Sequence, residues 1–198
     1  MTCTHRLALL SALALTVAGC GGPVSGDAVT AASTSSRSTT TASSTTVANT
    51  LPGPHPPPNH NSDGTTFDPC VAYSAAELTK WGLEPSTVQD VSDQLQRGCS
   101  WKGDGWRLQQ LVINRSISEY LDTNNYPDAQ PVTIAGLQGS THRLNQTDNS
   151  FCSAQVPSER SVVASLVAVD TAKAKRAIPD PCIKAVEIAT DTVGKLPK

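Results

Sequence analysis

The sequence predicts an α+β domain: an antiparallel sheet of about five or six strands, helices packed on one face, and two disulfides. Three observations lead to this fold class. After residue 97, short runs rich in Val, Ile and Leu alternate with turn residues, which is typical of hairpins. Capping signals mark helices outside these runs. Four cysteines are spread through the same part of the chain.

The 198 residues divide by composition into three parts: residues 1–19, residues 20–66 and residues 67–198. Residues 7–19 are apolar and uncharged, but they are too few to cross a bilayer core, which takes about 20 residues. Residues 1–19 are therefore predicted to be a signal peptide. The net charge of −2 gives no field that would recruit nucleic acid.

The apolar run ends in Val17-Ala18-Gly19-Cys20, which resembles the lipobox of bacterial lipoproteins. The resemblance implies cleavage before Cys20 and a diacylglycerol on its sulfur. A plain secretory signal followed by a chance cysteine is the alternative. Two or three acyl chains anchor a protein durably, so the lipobox implies a place on the extracytoplasmic face of the cell membrane.

Residues 20–66 are rich in Ser, Thr and Pro and poor in large apolar side chains. Such a segment buries too little surface to offset its ordering entropy, so a disordered, lipidated stalk is predicted. His55 and His60 lie in this stalk. We interpret them as solvated side chains rather than metal ligands, because no fixed backbone is expected to hold them.

A first helix is predicted at residues 75–81, because Ser74 and Glu77 have the spacing of a capping box and Gly82 is a suitable stop. Its predicted buried residues are Ala76, Leu78 and Trp81. Residues 84–96 give no clear pattern and are expected to be irregular or partly helical. One or two further helical turns are expected at residues 118–121.

Six strands are predicted after residue 97. They lie at residues 98–102, 106–114, 131–135, 137–144, 150–156 and 161–169. The last run is apolar on both faces, which predicts a central strand covered on both sides. Trp101 and Trp106 flank the turn of the first hairpin, and we expect them to be sheet core rather than a ligand platform.

The final helix is predicted to begin with Asp180 as N-cap and Pro181 in the first turn. Its apolar stripe carries a cysteine and consists of Cys182, Val186, Ala189 and Val193. Residues 173–176, which precede it, include Lys173, Lys175 and Arg176. These side chains are expected to be solvated in a loop, although contact with acidic headgroups is an alternative.

The chain has six cysteines, of which Cys3 and Cys20 fall in the signal and lipobox. An even number in an exported domain predicts two disulfides among the remaining four, which permit three connectivities. Loops of about 30 residues favour Cys70 with Cys99 and Cys152 with Cys182. A zinc site with four thiolates is the alternative, but the spacing lacks a close cysteine pair.

Several short motifs together resemble a family of actinobacterial, largely mycobacterial, surface lipoproteins. They are the lipobox, the Ser/Thr/Pro-rich segment, Phe67-Asp68-Pro69-Cys70, Ser74-Ala75-Ala76-Glu77-Leu78, Gly98-Cys99-Ser100-Trp101 and Asp180-Pro181-Cys182. The resemblance covers residues 66–198 and rests on the order and spacing of the motifs. It implies an exported, membrane-anchored protein and assigns no activity or catalytic residue to the domain.

Two hypotheses about function follow. The first is a non-enzymatic module that binds an envelope lipid, glycan or protein. The second is an envelope hydrolase, built either on His142 with Asp148 and a serine or on a pair of carboxylates. The candidate carboxylates are Asp122, Asp128, Asp148 and Glu159. The sequence contains no nucleotide-binding motif, so no cofactor is predicted. No catalytic residue is assigned.

Overall fold

A computed structural model of the chain describes residue 51, residues 55–143 and residues 149–198. The predicted signal peptide and the predicted lipidation site, Cys20, lie outside these residues. The described residues form four helices and seven strands. In chain order they are α1 Ala75–Trp81, β1 Leu83–Asp90, β2 Arg97–Gly103, β3 Trp106–Ile113, α2 Ile117–Tyr120, β4 Gln130–Ile134, β5 Leu137–His142, β6 Phe151–Ser158, β7 Ser161–Val169, α3 Ala172–Ala177 and α4 Pro181–Val193.

All seven strands belong to one antiparallel sheet with the order β1-β2-β3-β7-β6-β5-β4. The α+β class with an antiparallel sheet is thus confirmed, with one strand more than the six predicted. The additional strand is β1, in a region expected to be irregular or partly helical. Its pairing with β2 shifts register between Glu84 and Gln89, which interrupts the alternation that reveals a strand.

Strand β7 is the middle strand of the sheet, between β3 and β6. Eight of its nine residues are buried, on both faces. The predicted central, doubly covered strand is therefore confirmed. Its two neighbours pair with it along their whole lengths, so the core of the domain is built around this strand.

The helices are divided between the two faces of the sheet, and the expectation that they pack on one face is not met. Cys152 of β6 is bonded to Cys182 in α4. Gln155 of β6 points to the opposite face, because it lies an odd number of residues from Cys152. Gln155 contacts His142, whose ring stacks on Tyr120 of α2. Helices α4 and α2 therefore cover opposite faces.

Both predicted cap motifs are formed. Ser74 and Glu77 make the reciprocal capping box of α1, and Gly82 ends this helix at φ 86°. Leu78 and Trp81 are buried as expected, whereas Ala76 is exposed. Helix α4 begins at Asp180 and Pro181 as predicted. Its buried face is rotated slightly from the predicted stripe and consists of Pro181, Ala185, Ile188, Ala189 and Thr192.

A chain of buried polar side chains joins α4 to the sheet. Gln110 Nε2 of β3 donates to Ser165 Oγ of β7 at 2.9 Å and to Thr192 Oγ1 of α4 at 3.3 Å. The hydroxyl groups of Tyr73 and Thr192 lie 2.9 Å apart. Because these buried polar groups are paired with one another, they fix the position of α4 rather than weaken the core.

The two disulfides join Cys70 to Cys99 and Cys152 to Cys182, as predicted. Their Cα atoms are 5.1 and 4.9 Å apart, within the usual range for this bond. With the four sulfurs bonded in pairs, the alternative of a zinc site with four thiolates does not apply to this structure. The first bond ties the segment before α1 to β2, and the second ties β6 to α4.

Residues 59–66, which were expected to belong to the disordered stalk, are bonded to the domain. The buried guanidinium of Arg97 donates to the carbonyl oxygens of Ser62, Thr65 and Phe67 at 2.8, 2.8 and 2.6 Å. The side chain of Asn114 accepts from the N–H of Gly64 at 2.8 Å. This segment is ordered by hydrogen bonds to its backbone, which a composition poor in apolar residues does not reveal.

Each edge strand of the sheet contains a proline: Pro85 in β1 and Pro131 in β4. Proline has no N–H group, so it is tolerated at an edge far better than in a central strand. Within the described residues, no helix combines the length and the apolar character needed to span a bilayer.

Candidate binding groove between α3 and α4

The ring of Trp106, at the start of β3, forms the floor of an apolar depression. A Cβ atom at Gly103 would lie 2.2 Å from Nε1 of Trp106, so glycine at this position allows the indole to lie across the end of β2. Gly105 takes φ 75° in the intervening turn, which suits glycine. The turn predicted at residues 103–105 therefore positions the aromatic floor.

Helices α3 and α4 form the walls above this floor, and we call the depression the α3–α4 groove. Its volume is about 430 Å³, which lies in the range of small-ligand pockets. Its apolar lining consists of Trp81, Trp106, Ala174, Ala177, Ile178, Pro179 and Ile183. Ile183 stands at the mouth, with 70% of its surface exposed. The groove thus offers an apolar contact surface that the fold leaves uncovered.

The charged residues of the groove are largely paired with one another. Lys173 Nζ donates to Asp104, across the mouth. Lys184 Nζ lies 3.1 Å from both carboxylate oxygens of Glu187 and 5.9 Å from the ring centroid of Trp106. The apolar lining is therefore bordered by ion pairs rather than by unpaired charge, and most of the binding surface for a ligand is apolar.

Asp180 completes the rim at the N-terminus of α4. Burial raises the pKa of its carboxyl, but hydrogen bonds from Arg143 and from the N–H of Cys182 lower this pKa below its ordinary value. Both bonds are 2.8 Å long and share one carboxylate oxygen. Asp180 therefore stays ionised and occupied, and we regard it as a residue that positions the wall of the groove.

Helix α1 is fixed against α4 below the groove. Trp81 Nε1 donates to Asp191 Oδ2 at 2.9 Å, and Lys80 Nζ lies 3.1 Å from the same oxygen. The hydrogen bond from Trp81, followed by that from Lys80, lowers the pKa of Asp191 despite partial burial. Trp81 and Trp106 are both buried, as the sequence indicated. Their ring edges nevertheless line the groove, which the sequence did not indicate.

Lys173, Lys175 and Arg176 lie in helix α3 and not in a loop as expected. The helix is short, and its N-cap, Thr171, accepts from the N–H of Ala174 at 3.1 Å. Lys173 borders the groove, while Lys175 and Arg176 are exposed on the outer side of the helix. Of these three basic residues, only Lys173 therefore belongs to the border of the groove.

His142, the basis of the hydrolase hypothesis, lies among aromatic rings on the α2 face of the sheet. Its ring centroid is 5.9 Å from that of Tyr120 and 4.7 Å from that of Tyr126. Its Nδ1 lies 3.1 Å from Gln155 Nε2. Burial lowers the pKa of the imidazole. In the described residues no serine or carboxylate hydrogen-bonds to this ring, and Asp148 of the hypothetical triad lies outside them.

The other described candidate carboxylates each accept a hydrogen bond from a backbone N–H group. Asp122 accepts from the backbone and side chain of Asn124. Asp128 accepts from the N–H of Arg143, and Glu159 accepts from the N–H of Thr66. Among the described residues, no two of these three carboxylates hydrogen-bond to each other, and the carboxylate-pair hypothesis stays a prediction.

The two histidines of the predicted stalk have different environments. His60 is exposed. His55 lies between two carboxylates, with Nε2 3.2 Å from Asp68 and Nδ1 3.9 Å from Asp90. It is therefore not the freely solvated side chain expected from the sequence, and it contributes to holding the start of the ordered segment against β1.

Fold and groove together define the class: an α+β domain with a concave, mostly apolar groove. The family described as a protein of unknown function, DUF3558, matches residues 15–195, and the chain belongs to this family. No curated protein matches the chain. No solved structure matches it either.

Proposed function

We propose that the chain is an exported lipoprotein of the actinobacterial cell surface, anchored through Cys20, whose domain binds an amphiphile of the envelope. The lipobox resemblance of residues 17–20 supports the anchor. The single observation that carries the binding function is the apolar α3–α4 groove, of about 430 Å³. A pocket of this size and lining is the usual form of a small-molecule binding site.

The lining specifies an acyl chain as the part of the ligand that enters the groove. Trp106, Ile178 and Ile183 offer apolar contact along the groove, and the neighbouring charges are paired. Each buried CH2 of a ligand contributes about 0.8 kcal/mol, so a chain of several carbons binds without a charged partner in the floor. A polar or acidic head would lie outside, at the mouth of the groove near Lys173.

The binding function is tested with a fluorescent long-chain fatty acid and the full-length chain carrying Cys20→Ser, purified without detergent. We expect saturable binding, and we expect Ile183→Asp to weaken it about tenfold or more, because a carboxylate replaces an apolar contact at the mouth. Val71→Asp is the matched control. Val71 is 71% exposed, almost as Ile183 is at 70%, but it lies outside the groove.

A parent protein that does not bind the probe would contradict the assignment of an acyl chain. Equal affinity of the Ile183→Asp and Val71→Asp variants would show that the probe binds elsewhere.

The anchor is tested separately by replacing Cys20 with serine in cells and separating membranes from soluble protein. Serine cannot form the thioether, so the variant is expected to leave the membrane fraction, while the parent stays there until detergent is added. Cys3→Ser is the control and is expected to behave as the parent. A Cys20→Ser variant that remains in the membrane as the parent does would disprove anchoring through this residue.

A further inference from the structure

A second pocket lies at the opposite end of the sheet from the α3–α4 groove, and we call it the α2 pocket. Strand β3 runs from Trp106 in the groove to Ile113, two residues before Arg115 in the α2 pocket. Eight residues of strand span about 25 Å. The α2 pocket has a volume of about 510 Å³, and the function proposed above does not use it.

Two guanidinium groups line this pocket, and both have free donors. Arg160 makes no side-chain hydrogen bond or ion pair with another described residue. Arg115 makes one long hydrogen bond, of 3.4 Å, from Nη1 to the hydroxyl of Tyr126. Both side chains are exposed. Since a guanidinium carries five N–H donors in a planar fork that suits a carboxylate, the pocket is equipped to bind an anion.

One carboxylate, Glu159, also lines the pocket, and it is held by the neighbouring segment. Its Oε2 accepts from the N–H of Thr66 at 2.7 Å. That hydrogen bond is the main reason that the pKa of Glu159 lies below its ordinary value. Counting Arg115, Arg160 and Glu159, the pocket keeps one net positive charge. An anionic ligand is therefore favoured over a neutral or cationic one.

The remaining lining narrows the chemistry of the anion. Ile117, Leu121 and Pro157 form an apolar wall, and the side-chain amide of Gln138 has no hydrogen-bond partner among the described residues. A bare anion would use neither feature. A sugar ring has a face of C–H groups for the apolar wall and hydroxyl groups for the amide. We propose that the α2 pocket binds a carboxylate-bearing sugar, such as a uronic acid of an acidic polysaccharide.

The proposal is tested with a trimer of galacturonic acid and the full-length chain carrying Cys20→Ser. Affinity is measured by calorimetry, and the site is located by amide NMR shifts. Arg160→Gln and Arg115→Gln are each expected to weaken binding about tenfold or more, because each removes a charge-assisted hydrogen bond. Arg176→Gln is the control, because it removes the same charge from the exposed side of α3, outside the pocket.

The methyl ester of the same trimer has the same rings without the charge and is expected not to bind. Shifts are expected at residues 115–121 and 157–161. Ile183→Asp, in the groove, is expected to leave the affinity for the trimer unchanged, so failure of the groove assignment does not affect this test. Arg160 has no side-chain partner among the described residues, so its substitution is expected to leave the thermal midpoint unchanged.

Equal binding of acid and ester would overturn the proposal, as would equal losses for Arg160→Gln and Arg176→Gln. A parent protein that does not bind the trimer would also overturn it. Displacement of the trimer by inorganic phosphate at similar concentration would identify a general anion site and overturn the assignment to a sugar.

Discussion

At the scale of single residues, Arg97 explains where the folded domain begins. Its side chain is buried, and its guanidinium reaches three carbonyl oxygens of the segment that precedes α1. A buried charge is costly unless hydrogen bonds satisfy it. The guanidinium and the carbonyl oxygens therefore satisfy each other's hydrogen bonding. These bonds order the segment before α1, although it buries few large side chains.

Replacing Arg97 with methionine is expected to lower the free energy of unfolding by about 3 kcal/mol, since buried carbonyl groups lose their donors. Urea denaturation measures this as a lower midpoint with an unchanged slope. Arg107→Met is the control, because Arg107 makes an exposed ion pair with Asp170 and is expected to contribute less than about 1 kcal/mol. Equal losses in the two variants would contradict the role of Arg97.

Glu77 predicts a pH dependence of stability. A hydrogen bond from Lys195, supported by one from the backbone of Ser74, lowers the pKa of Glu77 from 4.5 to about 2. A depressed folded pKa means that the stabilisation is present above pH 4.5 and is lost as the pH falls toward 2. Because Glu77 is 37% exposed on its side chain, screening limits the effect to less than about 1 kcal/mol.

The measurement is the unfolding free energy of the parent and of Glu77→Gln between pH 2 and pH 6. The variant is expected to be less stable at pH 6 and to approach the parent at the acid end. Glu84→Gln serves as control, because Glu84 is exposed and its side chain accepts a hydrogen bond from Ser86 alone among the described residues. A constant difference between parent and Glu77→Gln across this range would contradict the prediction.

At the scale of elements, α4 is held to the sheet in two ways: by the bond from Cys152 to Cys182 and by its buried face. The bond closes a loop of 30 residues, which stabilises a domain by about 3 to 4 kcal/mol in the chain-entropy model. The double substitution of both cysteines by alanine is expected to lower stability by about that amount, measured by urea denaturation.

Amide hydrogen exchange distinguishes a local loosening of α4 from a general loss of stability of the fold. The first turns of α4 are expected to exchange faster in the double variant, while the turns around Ile188 and Thr192 keep more protection because they remain packed on the sheet. The matching double substitution of Cys70 and Cys99 should leave α4 protected. An unchanged pattern in α4 of the first variant would show that the bond does not hold this helix.

Helices that begin at a recognisable cap residue were predictable from the sequence. Elements whose formation depends on packing or pairing with distant parts of the chain were not. The caps at Ser74 and Asp180 place both longer helices, because cap chemistry acts within a few residues. Strand β1 was missed, because Pro85 and the register shift break its alternation. Helix α3 was missed, because its six residues give too short a pattern.

At the scale of the whole molecule, the boundary of the domain is testable. A chain of residues 67–198 lacks the carbonyl oxygens of Ser62 and Thr65. Of the three carbonyl oxygens that accept hydrogen bonds from the buried Arg97, only that of Phe67 then remains. We expect it to be less stable than residues 51–198 by about 3 to 5 kcal/mol, as for a buried charge that loses its partners. Thermal midpoints measure the difference, and equal midpoints would place the boundary at residue 67.

The groove was only partly predictable from the sequence, because its lining comes from segments that are distant along the chain. Trp81 and Trp106 were expected to be core, and they are buried. That their edges line one depression depends on α3 and α4 meeting the turn at residues 103–105. Residues that are distant in sequence meet there through the packing of the sheet, and no periodicity within one segment encodes that meeting.

The prolines of the two edge strands affect how the edges of the sheet can pair with another strand. A bare strand edge is a template for joining neighbouring copies into aggregates. Pro85 and Pro131 each remove one N–H group from the outermost strands. Each edge therefore offers one hydrogen-bond donor fewer to a strand of another copy.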